Sequence, residues 1–384
     1  MNFLYILLAI FVFGFLIFIH ELGHFVVARL CGVKILEFAI GMGPKILSHK
    51  SKKSGIRYSL RLLPIGGFVN MLGENGMEMA QGSSDETDSK EGKDSFFVNF
   101  ADASEDGTDE KSAKPIDPEL AKQAYCNQSV WKRILISLAG PLMNVLLGFL
   151  LMLVLVIMTK DVLGTTVVAG FPEGAYSVES GLQTGDEIVK IGNTSVHTLY
   201  DMSYEISEQG YAPISVTVER NGERIVLKNV AFPIAAEKGI AFGMRDFYVL
   251  RDEKISFGML MKHTFWRCYS CVKMVYDSIE GMFTQRYTIE AVSGPVGITG
   301  VITEAAKDSW LSVLHLVILI SVNLGIMNLL PLPALDGGHL LIYIVEAIRR
   351  KPIKPEVEGM INFVGLVLLL GLALLITVKD VIAL

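Results

Sequence analysis

Cysteine is scarce in this 384-residue chain, which contains four of them. Two of the four, Cys268 and Cys271, form a C-x-x-C pair. Without a second pair the sequence does not favour a zinc ribbon, and we interpret the two as ordinary cysteines or an occasional disulfide. Cys31 and Cys126 are expected to be free thiols.

Charge is also sparse. Charged residues make up 19% of the chain and hydrophobic residues 51%, with a net charge of −6. The mean hydropathy of +0.45 is above that of an average soluble protein. The charge balance gives no reason to expect nucleic-acid binding, and the length exceeds one ordinary domain.

The N-terminal stretch lacks a basic leader and a small-residue cleavage site, so we interpret it as a retained helix and not as a signal peptide. Four stretches are long and apolar enough to cross a bilayer, which takes about 20 such residues. They are residues 2–30, 134–158, 311–330 and 360–382.

Lysine and arginine near the span ends predict the orientation. They follow the first span from Arg29 to Arg61, precede the second at Lys132 and Arg133, and separate the third from the fourth. These segments should be cytosolic. Both termini and the region from about residue 160 to 308 should therefore be outside the cell membrane.

The first span carries His20, Glu21 and His24, an H-E-x-x-H pattern. On a helix His20 and His24 share a face, so two imidazoles can bind one metal ion, and Glu21 can take a proton from its water. The pattern also arises by chance in soluble proteins. Such polar groups are costly in lipid, which favours the functional interpretation here.

The third span contains Pro331 and Pro333, which must interrupt a regular helix, and Gly337 and Gly338, which we expect to loosen it further. Asp336 lies in this break. A carboxylate at membrane depth needs a partner, and a cation is the obvious one. Two histidines with one carboxylate form a common catalytic zinc set.

The other polar residues at membrane depth leave alternatives open. Asn323 and Asn328 either bind the backbone of a substrate or hydrogen-bond within their helix. His315 and His339 are expected to be structural, because a fourth protein ligand would close the water position. Glu346 is expected to be interfacial.

The second span opens with S-L-A-G-P-L-M-N. Gly140 and Pro141 permit close packing or a local break, and Asn144 places a polar group at membrane depth. Ordinary helix packing explains this pattern equally well.

Between the first two spans, residues 32–73 contain short β-prone runs separated by glycine and proline. G-G-F-V-N-M, which includes Gly67, Phe68 and Val69, is either an edge strand open to an extended peptide or part of a packed hairpin. Residues 74–130 are acidic and are expected to be a disordered cytosolic insertion.

Residues 161–250 form the clear soluble domain, with β-prone runs around two short helices. Its G-L-x-x-G-D-x-I pattern resembles a PDZ domain, with matching residues Gly181, Leu182, Gly185, Asp186 and Ile188. Such a domain either binds an extended chain end or only restricts access. Residues 251–309 include an amphipathic segment expected to lie on the outer membrane surface.

Together the two metal motifs, A-G-P-x-x-N, the PDZ-like domain and G-P-V-G-I resemble the bacterial site-2 protease family, in particular its RseP-type branch. The resemblance implies zinc held by His20, His24 and Asp336, with Glu21 as general base. It implies substrate binding by Asn323 and Asn328, and a membrane-associated β-hairpin region. The substrates would be single-span membrane proteins, such as anti-sigma factors or signal-peptide remnants.

The expected fold is a membrane α-helical bundle of four transmembrane helices, with a membrane-associated β-hairpin region and one extracytoplasmic PDZ-like α/β domain. Its parts are the first span at 1–31, the hairpin region at 32–73, the insertion at 74–130, the second span at 131–160, the PDZ-like domain at 161–250, the surface segment at 251–309, the third span at 310–347, and a cytosolic turn with the fourth span at 348–384.

The expected function is that of an intramembrane zinc metalloprotease, with its active site toward the cytosolic leaflet. An alternative is a non-catalytic membrane scaffold or receptor that uses the PDZ-like domain. A metal transporter is disfavoured, because its polar residues should be distributed over several depths, whereas here they concentrate at one.

Overall fold

A computed structural model of the chain describes residues 3–74, 118–160, 163–237, 239–252, 256–287 and 292–382. Within these ranges the α-helices are α1 (Phe3–Leu30), α2 (Pro118–Lys122), α3 (Val130–Met158), α4 (Tyr176–Glu179), α5 (Leu199–Gln209), α6 (Phe257–Phe283), α7 (Pro295–Asp308), α8 (Trp310–Asn328), α9 (Asp336–Arg349) and α10 (Pro355–Ile382). The strands are β1 (Ile35–Lys50), β2 (Arg57–Met71), β3 (Gly164–Gly170), β4 (Glu187–Ile191), β5 (Thr194–Ser195), β6 (Ile214–Arg220), β7 (Glu223–Val230), β8 (Ile234–Glu237), β9 (Ile240–Gly243) and β10 (Tyr248–Arg251).

In the described part of the chain, four helices are long and apolar enough to cross a membrane: α1, α3, α8 and α10. An apolar helix is thus present at each of the four predicted spans. Many of their apolar side chains are exposed, and only 6% of the most apolar window of α10 is buried within the protein. Helices with such surfaces are suited to lipid and not to water.

Backbone contacts divide the chain into two compact units. The first consists of Met1–Val145 and Leu324–Val378, and the second of Leu146–Asn323 and Lys379–Leu384. The metal motifs fall in the first unit. The soluble domain predicted for residues 161–250 falls in the second.

In the first unit β1 and β2 form a two-stranded sheet in which both strands bend. Residues 37–40 of β1 lie opposite residues 67–70 of β2 and also opposite residues 57–60 of the same strand. Residues 67–70 are paired on that one side in the described structure, so they form an edge. The sheet packs on a core that includes Ala28, Phe38, Val69, Ile136 and Tyr343.

The chain is folded again from Pro118, where α2 and a 3₁₀ turn at Tyr125–Asn127 precede α3. Tyr125 is buried, its hydroxyl donates to the Tyr343 hydroxyl at 3.0 Å, and its backbone N–H donates to Leu72. Residues 118–130 of the expected insertion thus contain a short helix, a 3₁₀ turn and the start of α3. Residues 75–117, its larger part, lie outside the described residues.

Glu346, which was expected to be interfacial, is buried within the first unit. Its side chain is 2% exposed, and Arg133 Nη2 donates to it at 2.7 Å. The backbone N–H of Ile353 donates to the other carboxylate oxygen, also at 2.7 Å. Because both oxygens are hydrogen-bonded and a cation is adjacent, the carboxylate can be buried at this position.

The second unit contains a six-stranded sheet with the order β10-β3-β4-β6-β7, in which β5 pairs with β4, and a separate β8-β9 hairpin. Its core includes Leu182, Ile188, Met202, Ile206 and Val216. Leu182 and Ile188 are two of the PDZ-like pattern residues, and both are fully buried.

A third pattern residue of this domain, Asp186, is fully buried and held by Arg220, whose Nε donates to it at 2.6 Å. Thr198 and Asp201 form a capping box that starts α5. These polar residues of the domain thus have structural partners, since a buried carboxylate and a helix N-terminus both require hydrogen bonds.

Candidate metal centre

Three side chains that the sequence singled out converge in the first unit. His20 Nε2 lies 3.0 Å from Asp336 Oδ2, and His24 Nε2 lies 3.4 Å from the same oxygen. The two Nε2 atoms are 3.3 Å apart. One ligand atom from each residue therefore lies within 4.8 Å of the others, although α1 and α9 are at opposite ends of the chain.

Both histidines are oriented by α3. His24 Nδ1 donates to the backbone carbonyl of Ile136 at 2.8 Å, which leaves Nε2 free to bind a metal ion. The side-chain amide of Asn144, which is fully buried, lies 3.2 Å from His20 Nδ1. The amide can present its oxygen to Nδ1–H by a half-turn, because its oxygen and nitrogen are interchangeable in shape.

Glycines allow α1 and α3 to approach closely at the centre. A Cβ atom on Gly140 would lie 2.3 Å from His24 Nε2 and 2.8 Å from His20 Nε2. A Cβ atom on Gly23 would lie 2.4 Å from the backbone oxygen of Ala139. Of the two readings of A-G-P, close packing is therefore correct. α3 runs through Pro141 as one helix.

The break after α8 places Asp336 at the first position of α9. The break includes Ala334 with a positive φ of 68°. A Cβ atom on Gly337 would lie 2.1 Å from the backbone oxygen of Leu330, and one on Gly338 would lie 2.4 Å from that of Leu332. The two glycines thus let the break fold tightly onto α9, whereas we had expected them to loosen it.

One face of α10 holds this break in place. A Cβ atom on Gly365 would lie 2.4 Å from Pro333 Cβ. One turn earlier, the Asn362 side-chain oxygen accepts from the Ala334 N–H at 3.4 Å. A further turn earlier, Glu358 Oε1 lies 3.2 Å from His339 Nδ1. His339 therefore has partners other than the metal centre, in agreement with its expected structural role.

A cavity of about 460 Å³ opens at the three ligands. Glu21 lines it, together with Phe68 and Val69 from β2 and Asn328 from α8. Gly67 also contacts Glu21, since a Cβ atom there would lie 3.0 Å from Glu21 Cγ. The predicted general base and the predicted edge strand are thus adjacent.

Of the predicted site residues, Gly67 and Asn323 are not among those that line this cavity, and Asn323 has no described contact with the metal centre. It is exposed on α8, five residues before Asn328. Residues five apart on a helix point in different directions, so the two asparagines do not act from one face.

The donor set fits zinc. Two neutral imidazoles and one carboxylate leave a coordination position open, which is the arrangement of catalytic and not of structural zinc sites. Each histidine also has a hydrogen-bonding partner for its second ring nitrogen, as metal-ligating histidines require.

Several residues of the centre were not identified from the sequence. Gly140, Asn144 and Asn362 had no separate functional assignment, and the Ile136 carbonyl is a backbone group that any residue could supply. Asn144 carried a usable signal, because a buried amide in an apolar span needs a partner. Its partner became evident only from the packing of α3 on α1.

Comparison with known proteins gives matches over nearly the whole chain. The profile of peptidase family M50 matches residues 8–372. A protein of Clostridium acetobutylicum is 34% identical over 382 residues, which cover all of this chain and 98% of that protein. Zinc metalloprotease RasP of Bacillus licheniformis is 31% identical over 413 residues, and the regulator of sigma-W protease RasP of Bacillus subtilis is 29% identical over 418 residues; each match covers 97% of both chains.

Proposed function

Since this chain belongs to peptidase family M50, the site-2 proteases, and is a zinc metalloprotease, we propose that it cleaves within membranes. Its substrates would be single-span membrane proteins, hydrolysed within their transmembrane segment. Because the chain is a zinc metalloprotease, we do not propose the alternative of a non-catalytic scaffold or receptor.

One observation carries this proposal. The ligand atoms of His20, His24 and Asp336 lie within 4.8 Å of one another, and two of these residues are on a helix apolar enough to cross a membrane. Polar groups in such a helix are retained mainly where they function. A peptide bond that reaches this centre would therefore come from a membrane segment.

The proposed chemistry assigns the metal to His20, His24 and Asp336. Zinc bound there would supply Lewis acidity, which lowers the pKa of water and polarises a carbonyl group. Glu21 would take the proton of the attacking water and return it to the leaving amine nitrogen. This role requires a carboxylate that reaches both the attacking water and the leaving amine nitrogen. The position of Glu21 in the wall of the same cavity suits it.

The substrate strand would lie along β2. A transmembrane helix hides its carbonyl groups in its own hydrogen bonds, so it must unwind before cleavage. The edge formed by Gly67, Phe68 and Val69 can replace those bonds by strand pairing. Asn328 would hold the substrate backbone from the opposite wall, and Asn323 would contact it elsewhere along α8.

The protein would be a multi-pass protein of the cell membrane, with the centre toward the cytosolic leaflet and both termini outside. Residues 161–250 would form an extracytoplasmic PDZ-like domain, residues 32–73 a membrane-associated hairpin region, and residues 251–309 a membrane-surface segment. The Bacillus subtilis relative is named as a regulator of sigma-W. Anti-sigma factors and signal-peptide remnants, shortened beforehand on the outer side, are therefore the proposed substrates.

The domain would exclude intact substrates and not bind their ends. β9 packs directly on α5, because a Cβ atom on Gly243 would lie 2.5 Å from the backbone oxygen of Ile206. At this point an extended chain cannot lie between the helix and the strand.

The decisive test is Glu21→Gln. This change keeps the size of the side chain but removes the base, so cleavage of a model single-span substrate should fall at least about 100-fold while zinc stays bound. Zinc content and cleavage in proteoliposomes measure the two effects separately. Glu179→Gln, an exposed change on α4, is the matched control and should leave both unchanged. Full cleavage by zinc-loaded Glu21→Gln would refute the role of Glu21.

A further inference from the structure

An apolar groove of about 650 Å³ lies between α1 and the β1-β2 sheet. Its helical wall is made by Phe18, Leu22 and Phe25. These residues are spaced at i, i+4 and i+7 and so share one face of α1. His20 and His24 lie on the opposite face, so the groove is separate from the metal centre.

The sheet supplies the other wall. Phe38 stacks edge-on with Phe25 at a centroid distance of 5.2 Å and forms the floor. Leu47 and Leu60 are paired across the strands and remain 64% and 42% exposed. The lining residues with polar side-chain atoms are Ser48, His49, Tyr58 and Ser59. The volume lies within the range of about 300–1,000 Å³ that small-molecule sites occupy.

Four cations stand at one end of this groove. His49 and Tyr58 are cross-strand partners at the rim, and the next pair along the strands is Lys50 with Arg57. Lys52 and Lys53 follow in the turn that joins these strands. All four cations are exposed. We call this set the hairpin tip.

The charge of the hairpin tip is uncompensated by the part of the protein that the structure describes. No ion pair there involves any of its four cations, and the nearby acid Glu37 binds Lys45 and Arg61 instead. Two like charges directly opposite each other on paired strands destabilise a hairpin. A bound anion would reverse that effect.

We propose that this groove binds one anionic glycerophospholipid, with an acyl chain between α1 and the sheet and the phosphate at the hairpin tip. The chemistry of the two ends of the groove identifies this ligand. The apolar end belongs to a helix that can cross a membrane, where acyl chains are the abundant ligand. The basic end lies where juxtamembrane cations attract anionic head groups.

The test uses the full-length protein in a neutral detergent, with native mass spectrometry as the measure of binding. Phosphatidylglycerol and phosphatidylcholine of identical acyl chains are the probes. We expect phosphatidylglycerol to bind about tenfold more tightly, because only its head group carries net negative charge. Glycerol phosphate, which lacks acyl chains, should not displace it. Equal binding of both lipids, or displacement by glycerol phosphate, would overturn the proposal.

Variants separate the two ends of the site. Lys52→Gln with Lys53→Gln should weaken phosphatidylglycerol binding roughly tenfold and leave phosphatidylcholine unchanged. Lys50→Gln with Arg57→Gln should do the same. Leu47→Trp, which fills the groove, should weaken both lipids. The matched control, Lys351→Gln with Lys354→Gln, removes two exposed charges at the turn between α9 and α10 and should change neither lipid.

Two further results would contradict the proposal. One is an equal loss of phosphatidylglycerol binding in the control, which would mean that any two cations suffice. The other is a Leu47→Trp protein that binds phosphatidylglycerol normally but no longer cleaves its substrate. That result would mean that the groove binds the substrate and not the lipid. Zinc content at the wild-type value in every variant shows that the fold is intact.

Discussion

At the scale of single residues, the metal centre depends on a position where nothing larger than hydrogen fits. Gly140→Ala places a methyl group where the structure leaves 2.3 Å to His24 Nε2. We expect zinc affinity to fall at least about 100-fold, because the ligands themselves are displaced. Zinc retention against a competing chelator measures the change.

Gly148→Ala is the control for that prediction. It lies on the same helix, and the one close approach of its Cβ atom would be to Val322 Cγ2, at 2.6 Å, and not to a histidine. Stability should decrease by about 1–3 kcal/mol from overpacking, with zinc affinity preserved. A comparable zinc loss in both variants would show that α3 packing in general, and not the space beside the histidines, is limiting.

Asn144 makes a second prediction at this scale. Asn144→Leu removes the hydrogen-bonding partner of His20 Nδ1, so zinc affinity should fall about 10–100-fold. Asn144→Asp keeps an acceptor oxygen and should restore most of it. Equal losses in both variants, measured by the same chelator competition, would rule out the orienting role.

The sequence predicted the residues that come together at the centre but not those that orient them. His20 and His24 are close in sequence, and Asp336 is conspicuous because a carboxylate in an apolar break needs a cation. Ile136 contributes only its backbone carbonyl, which leaves no trace in the sequence. The ion pair of Glu346 with Arg133 was not predicted, because the two residues are 213 positions apart in the sequence.

At the scale of elements, one face of α10 positions the break that carries Asp336. Gly365→Ala would push its Cβ atom to within 2.4 Å of Pro333 Cβ and 2.7 Å of the Pro333 backbone. A backbone atom cannot move aside by a rotamer change, so the break between α8 and α9 should shift, and Asp336 with it. We expect zinc affinity to fall about tenfold and cleavage to fall with it.

Gly371→Ala provides the comparison within the same helix, because its Cβ atom would enter open space. It should leave zinc binding and cleavage at the wild-type values. If Gly365→Ala also retains both, α10 has no positioning role and its contacts to the break serve packing alone.

The sequence predicted that the third span breaks but not how. Pro331 and Pro333 exclude a regular helix whatever surrounds them, so a local rule was sufficient. The function of Gly337 and Gly338 depends on carbonyl groups that fold back from Leu330 and Leu332. Such close approaches are properties of the folded backbone, and a local rule therefore misjudged the glycines.

At the scale of the whole molecule, the two ends of the predicted soluble domain lie side by side. Gly164 and Arg251 are cross-strand partners, so a short linker can join the chain on either side of the domain. Excision should permit cleavage of substrates with an intact outer domain and leave shortened substrates unaffected. Cleavage of both substrates in proteoliposomes measures the effect.

Two results would contradict that expectation. Continued resistance of the intact substrate would mean that another part of the chain restricts access. Loss of cleavage of the shortened substrate would mean that the domain binds it, provided that zinc content shows an intact metal centre. The sequence left exclusion and binding equally open, because both need the same fold.

The positions of the metal-binding side chains along the chain also affect when activity can begin. His20 and His24 emerge from a translating ribosome long before Asp336 does. A chain interrupted before α9 holds two of the three proposed ligands and lacks the break that α10 supports. Copies interrupted before α9 should therefore be unable to cut their neighbours in the membrane, and the protease would become active only after α9 and α10 have been synthesised.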